Sequence, residues 1–180
     1  MGKLLNIVTP LHESSRRDYL KRMVDDKVPC MKIAKQYGKD YWDGDRRYGY
    51  GGYKYIPGRW KVVAEELIKN YDLKSGSKLL DIGCGKGYLL YEIKLLVPDI
   101  HITGIDSSDY GLENAKDEIK PFISNHKAEE KLPYLDKEFD LVISLGTFHN
   151  LKIPDLKNAL SEMERVGLNK YLMLESYRNE

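Results

Sequence analysis

Residues 79–90 read Leu79-Leu80-Asp81-Ile82-Gly83-Cys84-Gly85-Lys86-Gly87-Tyr88-Leu89-Leu90. An apolar run stops at Asp81, three glycines follow at alternate positions, and Tyr88, Leu89, Leu90, Ile93 and Leu96 then recur at helical spacing. The pattern predicts a buried strand, a glycine turn and a helix. Residues without a Cβ let backbone amides approach a ligand and let the helix pack closely on the strand. Asp81, at the strand's carboxyl end, can accept hydrogen bonds from a cationic ligand or from the amides of the turn.

Glycine spacing narrows the ligand. A dinucleotide fingerprint needs Gly-x-Gly-x-x-Gly, and Tyr88 stands where its last glycine belongs. A triphosphate-binding loop needs Ser or Thr after Gly-Lys, and Gly87 follows Lys86. The remaining pattern, Asp81-x-Gly83-x-Gly85-x-Gly87, resembles the first motif of class I S-adenosylmethionine-dependent methyltransferases. Downstream segments agree in order. Ile100, Ile102 and Gly104-Ile105 lead to Asp106, nineteen residues beyond Gly87, about where a ribose-binding carboxylate sits in such units. Ser107-Ser108 offers an N-cap for a helix through Ala115 to Ile119. Ala128 to Tyr134 matches an adenine-side loop, Phe139 to Ser144 a fourth strand, and Tyr171 to Leu174 a fifth. Leu156, Ala159, Leu160 and Met163 predict a helix between the last two. Strands alternating with helices imply a mostly parallel sheet with right-handed crossovers.

The fold class expected is therefore α/β, a three-layer Rossmann-like methyltransferase fold with five strands and a helical N-terminal extension. Residues 1–59 are expected to form that extension and a lid, and residues 60–180 the donor-binding domain. The resemblance implies S-adenosyl-L-methionine as cofactor, with Asp81, Gly83, Cys84 (through its backbone), Gly85, Asp106, Ser107, Ala128 and Leu145 as contacts. It implies transfer of a methyl group to a nucleophilic O, N or C of a small metabolite. The pattern departs at Lys127-Ala128, where the family often carries Gly-Asp before Ala-Glu. It departs again after the fifth strand, where the family fold continues with a helix and an antiparallel strand pair. That gives the expectation of a C-terminally short domain and of self-association through a bare fifth-strand edge.

Upstream, residues 14–24 place Tyr19, Leu20, Met23 and Val24 among charges, as in a short amphipathic helix. Pro29 suits the first turn of a second helix running to about Tyr37 and stopped by Gly38. Residues 41–60 hold both tryptophans, five tyrosines and five glycines, a composition unsuited to helix. This segment can be an aromatic loop over the sheet, a lid over donor and acceptor, or an RNA-stacking surface. As a lid, Tyr50 and Tyr53 would face the donor's sulfonium, and Arg59 would pair with its methionyl carboxylate. A helix from about Trp60 to Tyr71, burying Val63, Leu67 and Ile68, leads into the first strand.

His149, just past the fourth strand, is the candidate general base, because ligands of open parallel sheets bind outside the strands' carboxyl ends. With 29 basic and 28 acidic residues the net charge is +1, so no bulk field favours nucleic acid or an anionic membrane. Cys30 and Cys84 make no disulfide framework, and no Cys or His pair has zinc spacing. A reducing, cytoplasmic setting is expected, with a small-molecule acceptor as partner. Two other readings stay open: a donor-binding module without turnover, and an RNA methyltransferase. A nucleotide-cofactor oxidoreductase is opposed by the glycine spacing.

Overall fold

The computed structural model describes residues 2–13 and 26–174. Five parallel strands form one sheet in the order β3-β2-β1-β4-β5: β1 Lys78–Ile82, β2 His101–Asp106, β3 Ile123–Asn125, β4 Phe139–Leu145 and β5 Gly167–Met173. The helices are α1 Thr9–Glu13, α2 Lys27–Ala34, α3 Lys39–Asp43, α4 Lys61–Tyr71, α5 Tyr88–Leu96, α6 Asp109–Glu113 and α7 Ile153–Val166. Two 3₁₀ turns, Lys120–Phe122 and Phe148–Asn150, complete the order.

Side chains alternate across a strand, so the sheet builds two cores. Leu79, Leu141 and Ile143 face a layer with Val63 and Leu67 of α4 and Leu90 and Ile93 of α5. Leu80, Ile82 and Val142 face the opposite layer, with Ala159, Met163 and Val166 of α7. The strand order reverses between β1 and β4, so the carboxyl ends of β1, β2 and β4 open onto one crevice.

Several elements depart from the sequence expectation. The helix expected through Ile119 ends at Glu113. There the Tyr110 carbonyl accepts both the Asn114 amide at 3.1 Å and the Asn114 side chain at 2.8 Å, and the next amide, Ala115, donates to Leu112 at 3.2 Å instead of continuing the helix. The helix begins as expected, with the Ser108 hydroxyl accepting from the Gly111 amide at 2.9 Å. The third strand, three residues long, went unlocated because Ile123-Ser124-Asn125 is too short to show alternation. Helix α2 ends at Ala34, three residues before Tyr37, where the chain turns through a positive φ of 48°. Within residues 41–60, Tyr41, Trp42 and Asp43 close the short helix α3 before Gly44 ends it, so part of that segment is helical after all. The amphipathic helix expected over residues 14–24 lies outside the described residues.

β5 is the terminal strand among the described residues. Its side chains divide by face. Leu172 packs against the second core, whereas Leu168 is 53% exposed. No helix among the described residues is long and apolar enough to cross a membrane.

Candidate active site

The glycine turn is closed from one side by a single carbonyl. Ile105 of β2 accepts from the Gly83 amide at 2.7 Å and from the Cys84 amide at 3.0 Å. The Gly85 amide donates instead to Asp106 Oδ2 at 2.8 Å, while Asp106 Oδ1 accepts from Ser108 at 2.8 Å. Gly83 requires its missing side chain, because it lies at φ +85° and a Cβ there would meet Thr147 Oγ1 at 2.0 Å. The loops after β1, β2 and β4 are thereby fixed against one another.

The Gly83, Cys84 and Gly85 amides go to Ile105 and Asp106 and the Gly87 amide to the Cys84 carbonyl, so Asp81 receives none of these. It is 5% exposed, and among the described residues no hydrogen bond relieves its burial. Burial, and then the nearby Asp106 carboxylate, push its pKa up to about 8. Burial also raises Asp106, against the lowering effect of the Ser108 and Gly85 amides. The Cys84 thiol is pushed well up by burial and by these two acids, which keeps it protonated and inert.

Residues 41–60 close the crevice from above. Trp42 stacks on Tyr50 with ring centroids 5.2 Å apart and planes 10° from parallel. Tyr50 and Tyr53 approach to 4.5 Å, and Tyr53 stacks on Tyr88 of α5 at 5.1 Å. The cavity that remains, about 70 Å³, is lined by these rings together with Trp60, Asp81, Gly83, Cys84, Gly85, Leu89 and Leu145. Two anchors hold the segment. Lys86 Nζ, 4% exposed, donates to Asp43 Oδ2 at 2.7 Å and to the Tyr53 carbonyl at 2.9 Å. Burial alone would raise the Asp43 carboxyl. Hydrogen bonds from Lys86, the Tyr110 hydroxyl and the Tyr53 amide outweigh it and hold the group below its ordinary value. Further on, buried Glu92 of α5 accepts from the Tyr55 hydroxyl at 2.8 Å and the Gly58 amide at 3.0 Å.

The site residues expected from the sequence thus divide. Asp81, Gly83, Cys84, Gly85, Leu145, Tyr50 and Tyr53 line one cavity, and Asp106 lies at its rim on the Gly85 amide. Arg59 is exposed and does not line the cavity. Ser107 is exposed, its carbonyl facing the Asn125 side chain, and Ala128 is buried in the second core. His149 is exposed in the 3₁₀ turn after β4, also outside the cavity. The sequence reading missed Trp42 as a wall of the site, and Lys86 and Asp43 as its clasp. The available signal was a lysine among glycines directly after a buried strand, with acids in the aromatic segment to receive it. A wider, shallow recess of about 410 Å³ lies on the outer side of α7, between Ile153 and Leu160, on a helix that contributes nothing to the cavity.

A family model described as a methyltransferase domain matches residues 73–180. The chain belongs to that family. It is 30% identical over 131 residues to a sterol 24-C-methyltransferase of Gibberella zeae, covering 63% of this chain and 33% of that protein. It is 34% identical over 110 residues to a demethylmenaquinone methyltransferase of Staphylococcus aureus, covering 59% and 45%. The chain therefore spans less than half the length of either relative. Among solved structures, a Methanococcus maripaludis protein provisionally described as an S-adenosyl-L-methionine-dependent methyltransferase superposes with a TM-score of 0.54 at 23% identity. The overlap covers 63% of this chain and 54% of that one. At that identity the likeness shows the fold, which is the Rossmann-like methyltransferase fold expected from the sequence.

S-adenosylmethionine is the donor of this family, and the methyltransferase domain's charge pattern suits it. Asp81, with no hydrogen-bond partner among the described residues, lines the crevice, and Asp106 stands at the end of β2 beside it.

The buried Asp81 predicts an unusual pH dependence. Its folded pKa of about 8 exceeds the ordinary 3.8, so the folded protein holds the proton more tightly than the unfolded chain. The stability tied to this proton is fully present below pH 3.8 and is lost as pH rises to about 8, where the loss levels off. Asp81→Asn should flatten that decline and, at pH 8, should make the ligand-free protein more stable by about 1.4 kcal/mol or more, the equivalent of one pKa unit. Urea unfolding at several pH values checks this. Parallel profiles for the two proteins would show that Asp81 is ionised and solvated in the folded state.

Proposed function

We propose that this chain carries an S-adenosylmethionine-dependent methyltransferase activity directed at a nucleophilic O, N or C of a small metabolite. The observation that carries the proposal is Asp81, whose buried carboxyl has no hydrogen-bond partner among the described residues, beside a turn whose Gly83, Cys84 and Gly85 amides go to Ile105 and Asp106 instead. Such a group is costly unless a ligand compensates it. Both curated relatives are named for small-molecule acceptors, a sterol and a demethylmenaquinone, which supports an acceptor of that class here.

When bound, S-adenosylmethionine supplies an electrophilic methyl group on a sulfonium. Asp81 would hold the donor's cationic amine, and Asp106 would accept from its ribose hydroxyls. Tyr50, Tyr53 and Tyr88 would exclude water and turn aromatic faces toward positive charge. The leaving thioether is neutral, so orientation in line with the methyl carries most of the catalysis. His149 stands outside the cavity, and the proposed mechanism assigns it no step. The expected Arg59–carboxylate pair likewise has no support from the geometry.

Calorimetry with S-adenosylhomocysteine tests the donor site. Asp106→Ala removes a charge-assisted acceptor and should weaken binding by about 1.5–3 kcal/mol. S-adenosylhomocysteine should also raise the melting temperature, and NAD should not. Unchanged affinity in a folded Asp106→Ala protein would leave the acid as a cap on the Gly85 and Ser108 amides only.

We further propose that the chain self-associates through the outer edge of β5, with exposed Leu168 beside that edge. A lysine at Leu172 would disturb the second core, so Leu168→Lys is the informative change. Sedimentation should show less association for Leu168→Lys at equal melting temperature. An unchanged association state, or a monomeric parent protein at high concentration, would dismiss the edge as an interface.

A further inference from the structure

The aromatic segment also places a side chain inside the crevice it covers. Trp42 is 6% exposed, and its ring lies against the glycine turn: a Cβ on Gly85 would stand 2.7 Å from Cη2. On its other side a Cβ on Gly111 of α6 would stand 3.1 Å from Cζ2. The indole N–H is shared between the Ser108 hydroxyl at 2.8 Å and the Tyr37 carbonyl at 3.1 Å. The ring thus fills the gap between the β1 turn and the loop after β2, beside the Asp106 carboxylate on both of whose oxygens those loops converge. A nucleoside held at Asp106 needs that gap. The cavity left over is about 70 Å³, whereas pockets for ligands of this size run to roughly 300 Å³ or more.

We propose that Trp42 is a built-in plug of the donor site, a side chain that competes with the nucleoside and must leave before the nucleoside enters. The proposal rests on the donor-site reading given above. The plug is latched by the receiving turn itself. Lys86, between Gly85 and Gly87, grips Asp43, the residue next to Trp42, at 2.7 Å. Tyr110 of α6 holds the same carboxylate oxygen at 2.9 Å, and the Tyr53 amide holds the other at 3.0 Å. The segment is equally built to release. Gly51 and Gly52 lie at φ +70° and +100°, between the Trp42 region and the part tied to α5 through Glu92. The chain from Trp42 to Gly52 can therefore swing out while Tyr55 to Gly58 stays in place. Donor affinity is then the intrinsic affinity reduced by the fraction of molecules whose plug is out.

Two arms test the plug, each with S-adenosylhomocysteine as the probe. Calorimetry compares the parent protein with Trp42→Ala, which removes the ring, and with Lys86→Met, which frees the latch. With the open form populated at about 10% or less, both variants should bind about tenfold tighter or more. Trp60→Phe, with an aromatic ring kept in the cavity wall, leaves Trp42 as the single tryptophan, and its emission on addition of S-adenosylhomocysteine should shift to the red as the ring leaves its buried place. Emission that stays fixed or moves to the blue, or affinity unchanged or weaker in both variants, overturns the plug and leaves the donor site standing. Absence of binding in all of these proteins overturns the donor site and the plug together.

Discussion

One carbonyl organises this site. Ile105, at the end of β2, accepts two successive amides of the glycine turn, and Asp106 takes the next free one. The three amides given to the neighbouring strand are not available to Asp81. The carboxylate at the end of β1 is therefore buried without a donor, and the helix α5 begins at once behind Gly87 in a left-handed conformation. Burial without these amides, together with the nearby Asp106 carboxylate, is what keeps Asp81 protonated.

Above this turn lies a polar clasp inside an aromatic cluster. A buried ammonium, Lys86, is satisfied by one carboxylate and one carbonyl, and that carboxylate is satisfied in turn by a hydroxyl and an amide. Full pairing lets such a network define one arrangement of an otherwise irregular segment. An unpaired, buried Asp81 opposes stability and favours entry of a cationic ligand, a common division between stability and function, whereas the ring that fills the crevice stabilises the ligand-free fold and opposes entry.

The central sheet was legible because its strands and helices carry strong periods. Leu79–Asp81, Ile102–Asp106 and Phe139–Ser144 end in the acids or turns that line the crevice, and Val63 and Leu67 point inward as their spacing requires. The third strand is too short to show a period, and α6 stops where the Ala115 amide turns to the Leu112 carbonyl. The aromatic segment announced itself by composition but not by arrangement. Which ring enters the crevice depends on long-range hydrogen bonds, Trp42 to Ser108 across 66 residues and Lys86 to Asp43 across 43, and no local pattern encodes those. Arg59, Ser107 and His149 are exposed and Ala128 lies in the second core, all four outside the lining of the cavity.

The most direct measurement is the titration of Asp81 by carbon-13 NMR, with and without S-adenosylhomocysteine. The account predicts a carboxyl that titrates near 8 in the free protein and falls below the ordinary carboxylate range once the ligand's ammonium is beside it. A free-protein value near 3.8, unmoved by the ligand, would contradict the claim that this carboxylate is kept unpaired for a cationic donor.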